Sequence, residues 1–138
     1  MNNTFLMTTL LISVPLGFAQ AEPNTVNDLL TVYSTQGANT ADAQQGKALW
    51  QKTFMAKGEF PRRSCASCHT QDLTQPGKHI KTNKPIKPMA PSVNPQRLTR
   101  VKKINKWFKR NCKWTLGREC TAQEKSNILA YIENESKF

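Results

Sequence analysis

Five consecutive residues constrain this chain more than any other part of it: Cys65-Ala66-Ser67-Cys68-His69. On one helical turn, residues three and four apart share a face. Cys65 and Cys68 therefore present two thiols on one side, and His69 adds an imidazole to it. Thiols at this spacing can add to the two vinyl groups of one porphyrin, while the imidazole reaches the iron from beneath. The pattern implies one covalently attached haem c, anchored through Cys65 and Cys68 with His69 as an axial ligand. Two other chemistries fit less well. A zinc site takes four ligands, usually as two close pairs, and the remaining cysteines, Cys112 and Cys120, are widely spaced. A thioredoxin-like C-x-x-C needs strand–helix alternation, which the pattern lacks.

The N-terminus agrees with that cofactor, because haem c is attached after export. Residues 1–21 read as a signal peptide: Phe5 to Phe18 is mostly apolar, and Ala19-Gln20-Ala21 is a small-residue cleavage site. Pro15 and Gly17 break the apolar stretch, which is short for a membrane span. The expectation is a periplasmic protein starting at Glu22, with no stable membrane insertion after cleavage. The whole chain of 138 residues suits a single domain. Residues 22–40 form an N-terminal extension or short helix, and residues 41–138 the haem domain.

The net charge is +11, and between Lys47 and Arg118 only Glu59 and Asp72 oppose 18 Lys and Arg. Nucleic acid is a poor partner for an exported chain. An acidic redox partner fits better, since opposed potentials steer encounter, and some of the charge would neutralise haem propionates.

Helical periodicity dominates the rest. Val26, Leu29, Leu30 and Tyr33 predict a short helix that Gly37 ends. Thr40 is a candidate N-cap, with Asp42 in the first turn of a helix from Ala41 to about Met55. Leu49, Trp50 and Phe54 would form its apolar face, and Gly46 permits close helix approach. Residues 76–95 carry Pro76, Gly77, Pro85, Pro88, Pro91 and Pro95 and read as a long loop wrapping a cofactor. A third helix begins between Asn94 and Thr99, carries Val101, Ile104, Trp107 and Phe108 as a stripe, and ends near Asn111. The last opens with Thr121-Ala122-Gln123-Glu124, a capping box, and buries Ile128, Leu129 and Ile132. The fold class is all-α: a small cytochrome c-like fold of four helices, with no convincing strand.

The second axial position decides the function, and the residues leave three candidates. Met89 lies in the Pro-rich loop, where small electron-transfer cytochromes often place a ligating Met. His79 is the other histidine, better suited to a loop or propionate contact. Asn111 follows Ile104 by seven residues, almost the same helical direction, and would need a partner if buried. The alternative for Asn111 is an ordinary exposed residue at a helix end.

Four segments taken together, Cys65-Ala66-Ser67-Cys68-His69-Thr70, Met89-Ala90-Pro91-Ser92-Val93-Asn94-Pro95, Trp107-Phe108-Lys109-Arg110-Asn111-Cys112 and Leu116-Gly117-Arg118-Glu119-Cys120, resemble the sphaeroides haem protein family of monohaem class I-like cytochromes c. The resemblance runs from about Ala41 to Tyr131, and residues 22–40 carry none of its motifs. It implies Asn111 as the distal ligand and a Cys112–Cys120 disulfide beside it. It implies release of the asparagine on reduction, followed by binding of oxygen or nitric oxide. It also implies a dihaem cytochrome c or a membrane cytochrome b as electron donor. The chemistry is self-consistent: a neutral amide is a weak donor, favoured by the extra charge of Fe(III). Carbon monoxide would probe the same site. No general acid–base or nucleophile constellation is visible, so any turnover would be iron chemistry. The rival reading is a plain electron carrier with His69 and Met89 on the iron.

Overall fold

The structure, a computed structural model, describes residues 25–135; the expected signal peptide, residues 1–21, lies outside the described residues. Helix α1, Thr25–Thr35, turns Val26, Leu29 and Tyr33 inward. It stops where the sequence predicts. Gly37 takes a φ of 90°, a left-handed conformation that glycine adopts without strain. The amides of Gln36 and Gly37 turn back to the carbonyls of Tyr33 and Ser34.

Helix α2 spans Ala43–Gln51 and is shorter than expected at both ends. Asp42, not Thr40, caps it: the Asp42 carboxylate accepts from the amides of Gln44 and Gln45 at 2.8 and 3.0 Å. At the other end Lys52 turns extended, and the chain enters strand β1, Phe54–Met55. This pairs antiparallel with β2, Arg62–Arg63. Phe54 therefore belongs to a hairpin and not to the apolar face of α2. A single turn, α3, Ala66–His69, holds the haem motif. The Pro-rich stretch then forms a second two-residue ladder, β3 (Gly77–Lys78) with β4 (Pro85–Ile86). The class remains all-α, with these two short ladders added and α3 making a fifth helix among the described residues.

The largest departure is helix α4, Val101–Leu116. It neither starts between Asn94 and Thr99 nor ends near Asn111. Leu98 adopts a φ of 56°, which no right-handed helix passes through. Asn94 instead donates from its side chain to the Pro88 carbonyl at 2.8 Å, and its own carbonyl accepts the Arg97 amide in a turn. The helix starts after Arg100. It ends at Gly117, whose φ of 75° supplies the left-handed cap. Asn111 thus lies inside the helix, and Cys112 and Thr115 continue the buried stripe that Ile104 begins.

Helix α5, Ala122–Glu133, carries the predicted capping box. The Glu124 amide donates to Thr121 Oγ1 at 3.1 Å, and the Thr121 amide donates to the Glu124 carboxylate at 2.8 Å. Ser126 through Ile132 are all buried, because α5 packs between the other helices. On one side lie Val26, Leu29, Tyr33 and Ile104; on the other, Trp50, Leu73 and Ala90. Phe108 and Leu98 border both clusters. Helices α2 and α5 cross closely at Gly46, where a Cβ would collide with the Asn127 carbonyl. Asn127, 4% exposed, is fully engaged there. Its Oδ1 accepts from the Asp42 amide (2.9 Å) and from Gln123 (2.8 Å), and its Nδ2 donates to Gln45 (3.2 Å).

Candidate haem site

The haem motif is held from behind by α2 and α5. The Trp50 indole, 3% exposed, donates to the Thr70 carbonyl at 2.8 Å. The Tyr131 hydroxyl donates to the next carbonyl, Gln71, at 3.2 Å. Trp50 also packs against the His69 ring, with centroids 5.6 Å apart, and against Tyr131 at 5.9 Å. Two aromatic side chains from different helices thereby fix the backbone directly after His69. From the loop side, Gly77 lies against the Cys68 carbonyl so closely that no Cβ fits between them. The amides of Met89 and Ala90 both donate to the Leu73 carbonyl at 2.9 Å, pinning the Pro-rich loop to the segment after the motif.

These residues fit a covalently held haem. Cys65 and Cys68 are both free thiols within one turn. Burial pushes the Cys65 thiol up to about 12, as befits a group set against apolar surface rather than water. The His69 imidazole is pushed down to about 4, chiefly by burial and further by electrostatic interaction with Arg97 and His79. It is therefore neutral at physiological pH, the form that binds a metal. Its Nδ1 is buried with no hydrogen-bond partner among the described residues. No group of three or more His, Cys, Asp or Glu side chains among the described residues is placed to hold a bare metal ion. The donor set suits a porphyrin iron and not a zinc site.

Of the three candidates for the far side of the iron, His79 is used by its own loop. Its Nδ1 accepts from the Thr82 amide at 3.1 Å in the turn between β3 and β4. Met89 is half-buried and packs against the same apolar cluster as Cys65 and Ala66. Asn111 is half-buried in the second-last turn of α4, and its side chain hydrogen-bonds to no described residue. The next residue, Cys112, is disulfide-bonded to Cys120, with Cα atoms 5.5 Å apart. This bond fastens α4 to the segment leading into α5.

Two site residues carry no sequence signal. Arg97 is half-buried and donates to the carbonyls of Pro88 and Lys87. Burial lowers its pKa, and its charge bears on His69. Arg63 bridges to Trp114 across 51 residues of sequence. Neither stands out among the many basic residues, because both roles depend on tertiary placement.

A helical shell around a C-x-x-C-H turn, with a half-buried neutral histidine and a wrapping Pro-rich loop, defines a small c-type cytochrome. Comparisons with known proteins agree. The profile of a protein family described as a domain of unknown function, DUF1924, matches residues 36–132. The cytochrome c-type protein SHP of Cereibacter sphaeroides is 38% identical over 123 residues, covering 89% of this chain and 94% of the relative. Cytochrome c'' of Methylophilus methylotrophus is 43% identical over 92 residues, covering 67% of this chain and 63% of that protein. The solved structure of oxidised SHP, described as an oxygen-binding cytochrome c, superposes with a TM-score of 0.70 over 78% of this chain and 94% of the other. The crystal structure of oxidised cytochrome c'' gives 0.69 at 32% identity, covering 80% and 94%. The chain belongs to the sphaeroides haem protein family, and the matching domain is that of the cytochrome c'' family.

Proposed function

We propose that this protein is an exported monohaem cytochrome c whose distal ligand, Asn111, is held by the oxidised iron and released on reduction. Cys65 and Cys68 anchor the haem, and His69 is the fixed axial ligand. When bound, the haem supplies one-electron chemistry and, on the side that Asn111 leaves, a place for oxygen or nitric oxide. The chain's own contribution is an asymmetry. His69 is neutral and half-buried, and its ring is backed by Trp50, which packs in turn on Tyr131. Asn111 is a neutral amide with no protein hydrogen bond to break among the described residues. The observation that carries the reading is this unengaged amide on the inner flank of α4, one residue from the Cys112–Cys120 anchor. The oxygen-binding description of SHP, at 38% identity, supports it.

Arg97, half-buried and bonded only to carbonyls, suits a haem propionate. The outer face of α4 exposes Lys102, Lys103, Lys106, Lys109, Arg110 and Lys113, and the helix contains no acid. Such a face suits an acidic electron donor, a dihaem cytochrome c or a membrane cytochrome b by family resemblance. Among the described residues no helix is long and apolar enough to cross a membrane. A periplasmic location after removal of residues 1–21 completes the reading.

The rival is a plain electron carrier with Met89 on the iron, favoured by Met89 packing against the same apolar cluster as Cys65 and Ala66. Ferric optical spectra of two variants separate them. Asn111→Ala leaves the haem attached and changes the ferric spectrum, while Met89→Leu keeps the wild-type spectrum. The reverse result assigns the ligand to Met89.

A further inference from the structure

The segment carrying the haem cysteines and the helix carrying Asn111 are joined directly by one side chain. Arg63 lies two residues before Cys65. Its Nε donates to the Phe60 carbonyl at 2.7 Å and its Nη2 to the Lys57 carbonyl at 3.2 Å, so the guanidinium is fixed to its own hairpin. Its Nη1 crosses to α4 and donates to the Trp114 carbonyl at 2.8 Å. The same group lies over the Trp114 ring, 3.6 Å from the centroid.

Each contact has a physical reason. Trp114 is in the last turn of α4, where carbonyls lack intrahelical donors and positive charge is favoured by the helix dipole. A guanidinium satisfies such a carbonyl, two others and an aromatic face together, because its donors form a rigid planar fork. Lysine offers a point charge without that fork.

Placement around the helix gives the contact its consequence. At 3.6 residues per turn, Cys112 points about 100° from Asn111 on one side and Trp114 about 60° from it on the other. The disulfide and the Arg63 clamp therefore hold α4 on opposite flanks of Asn111. Core packing at Ile104 and Phe108 holds the first half of the helix; in its last turns, two anchors restrict the direction in which the amide points more than either does alone.

We infer that Arg63 is a positioning residue for the distal ligand, setting the roll of α4 and so how firmly Asn111 meets the oxidised iron. This rests on Asn111 being that ligand. Removing the clamp weakens the amide against an added ligand without detaching the haem, since Arg63 touches neither Cys65 nor His69 in any of its bonds.

The test uses purified ferric holoprotein and azide as the probe, with Arg63→Ala, Arg63→Lys, Trp114→Leu and Asn111→Ala compared. The expected result for Arg63→Ala is a higher high-spin fraction and azide affinity raised roughly tenfold, the scale of one lost charge-assisted bond. Arg63→Lys behaves like Arg63→Ala, and Trp114→Leu gives about threefold, having lost only the stacking. A merely structural residue would lower the unfolding midpoint and leave spectrum and azide affinity at wild-type values. That outcome, in variants with native circular dichroism and with Asn111→Ala changing both readouts, overturns the inference. If Arg63→Ala does not accumulate as holoprotein, Trp114→Leu decides by the same criteria. If Asn111→Ala itself leaves both readouts unchanged, the ligand assignment fails, and the role of Arg63 fails with it.

Discussion

Around His69, neighbouring groups are buried and bonded. Trp50 and Tyr131 come from two helices that cross without space for a side chain at Gly46, and both donate to carbonyls just after the histidine. Around Asn111 the construction is sparse. Helix α4 exposes Trp107, Trp114 and a row of lysines, and is fastened at its far end by one disulfide and one arginine. On the proposed reading, this contrast is what would let one small domain keep His69 on the iron and release Asn111. Rigidity comes from interlocked core packing, while a tethered element has fewer contacts to lose when it shifts.

The contrast is sharpest where packing is tightest. Gly46→Ala forces a Cβ into the Asn127 carbonyl. It should lower stability by roughly 3 kcal/mol, measured by denaturant unfolding, and leave the ferric spectrum of the surviving folded protein unchanged. Replacing Cys112 and Cys120 by serine removes the constraint on a short loop, about 2.5 kcal/mol by the chain-entropy estimate. Unlike Gly46→Ala, it should also raise the ferric high-spin fraction, because it frees one flank of Asn111. Asn127→Ala strands the Asp42 amide and the Gln45 and Gln123 side chains. It should cost about 2 kcal/mol, again with no spectral change. If the proximal variants altered ligation as much as the disulfide variant, the two regions would not be independent.

The smallest effect concerns Glu124. Bidentate hydrogen bonds from Arg118, both at 2.7 Å, hold its carboxyl below the usual glutamate range. A depressed folded pKa means stability that is present above the ordinary glutamate pKa and lost as pH falls through the folded value. Arg118 is largely exposed, so screening limits the pair. Glu124→Gln should lower stability at neutral pH by less than about 1 kcal/mol. The difference from wild type should shrink as an acid titration followed by circular dichroism passes below the carboxyl range.

Signals confined to neighbouring residues were legible in the sequence. The haem turn, the Thr121–Glu124 capping box and the stop at Gly37 each depend on side chains within four residues of one another. The start of α4 was not legible, because the Asn94–Pro95 pair that resembles a helix entry is diverted by a side-chain bond to Pro88 and by the left-handed Leu98. The end of α2 is not legible because Phe54 fits a helical period equally well, until pairing with Arg63 draws it into a hairpin. The roles of Asn127 and Arg63 are invisible for a simpler reason: each depends on distant partners, 82 to 85 and 51 residues away. Asn111 could be singled out only as a polar residue on an apolar stripe, and the resemblance gave that position its meaning.

The claim that one ligand is fixed and the other leaves is tested most directly by the optical spectrum of the reduced holoprotein before and after carbon monoxide. A distal ligand that leaves on reduction gives a high-spin ferrous form that binds carbon monoxide at once, alongside a low-spin ferric form. A ferrous form that stays low-spin and does not bind the gas would contradict it.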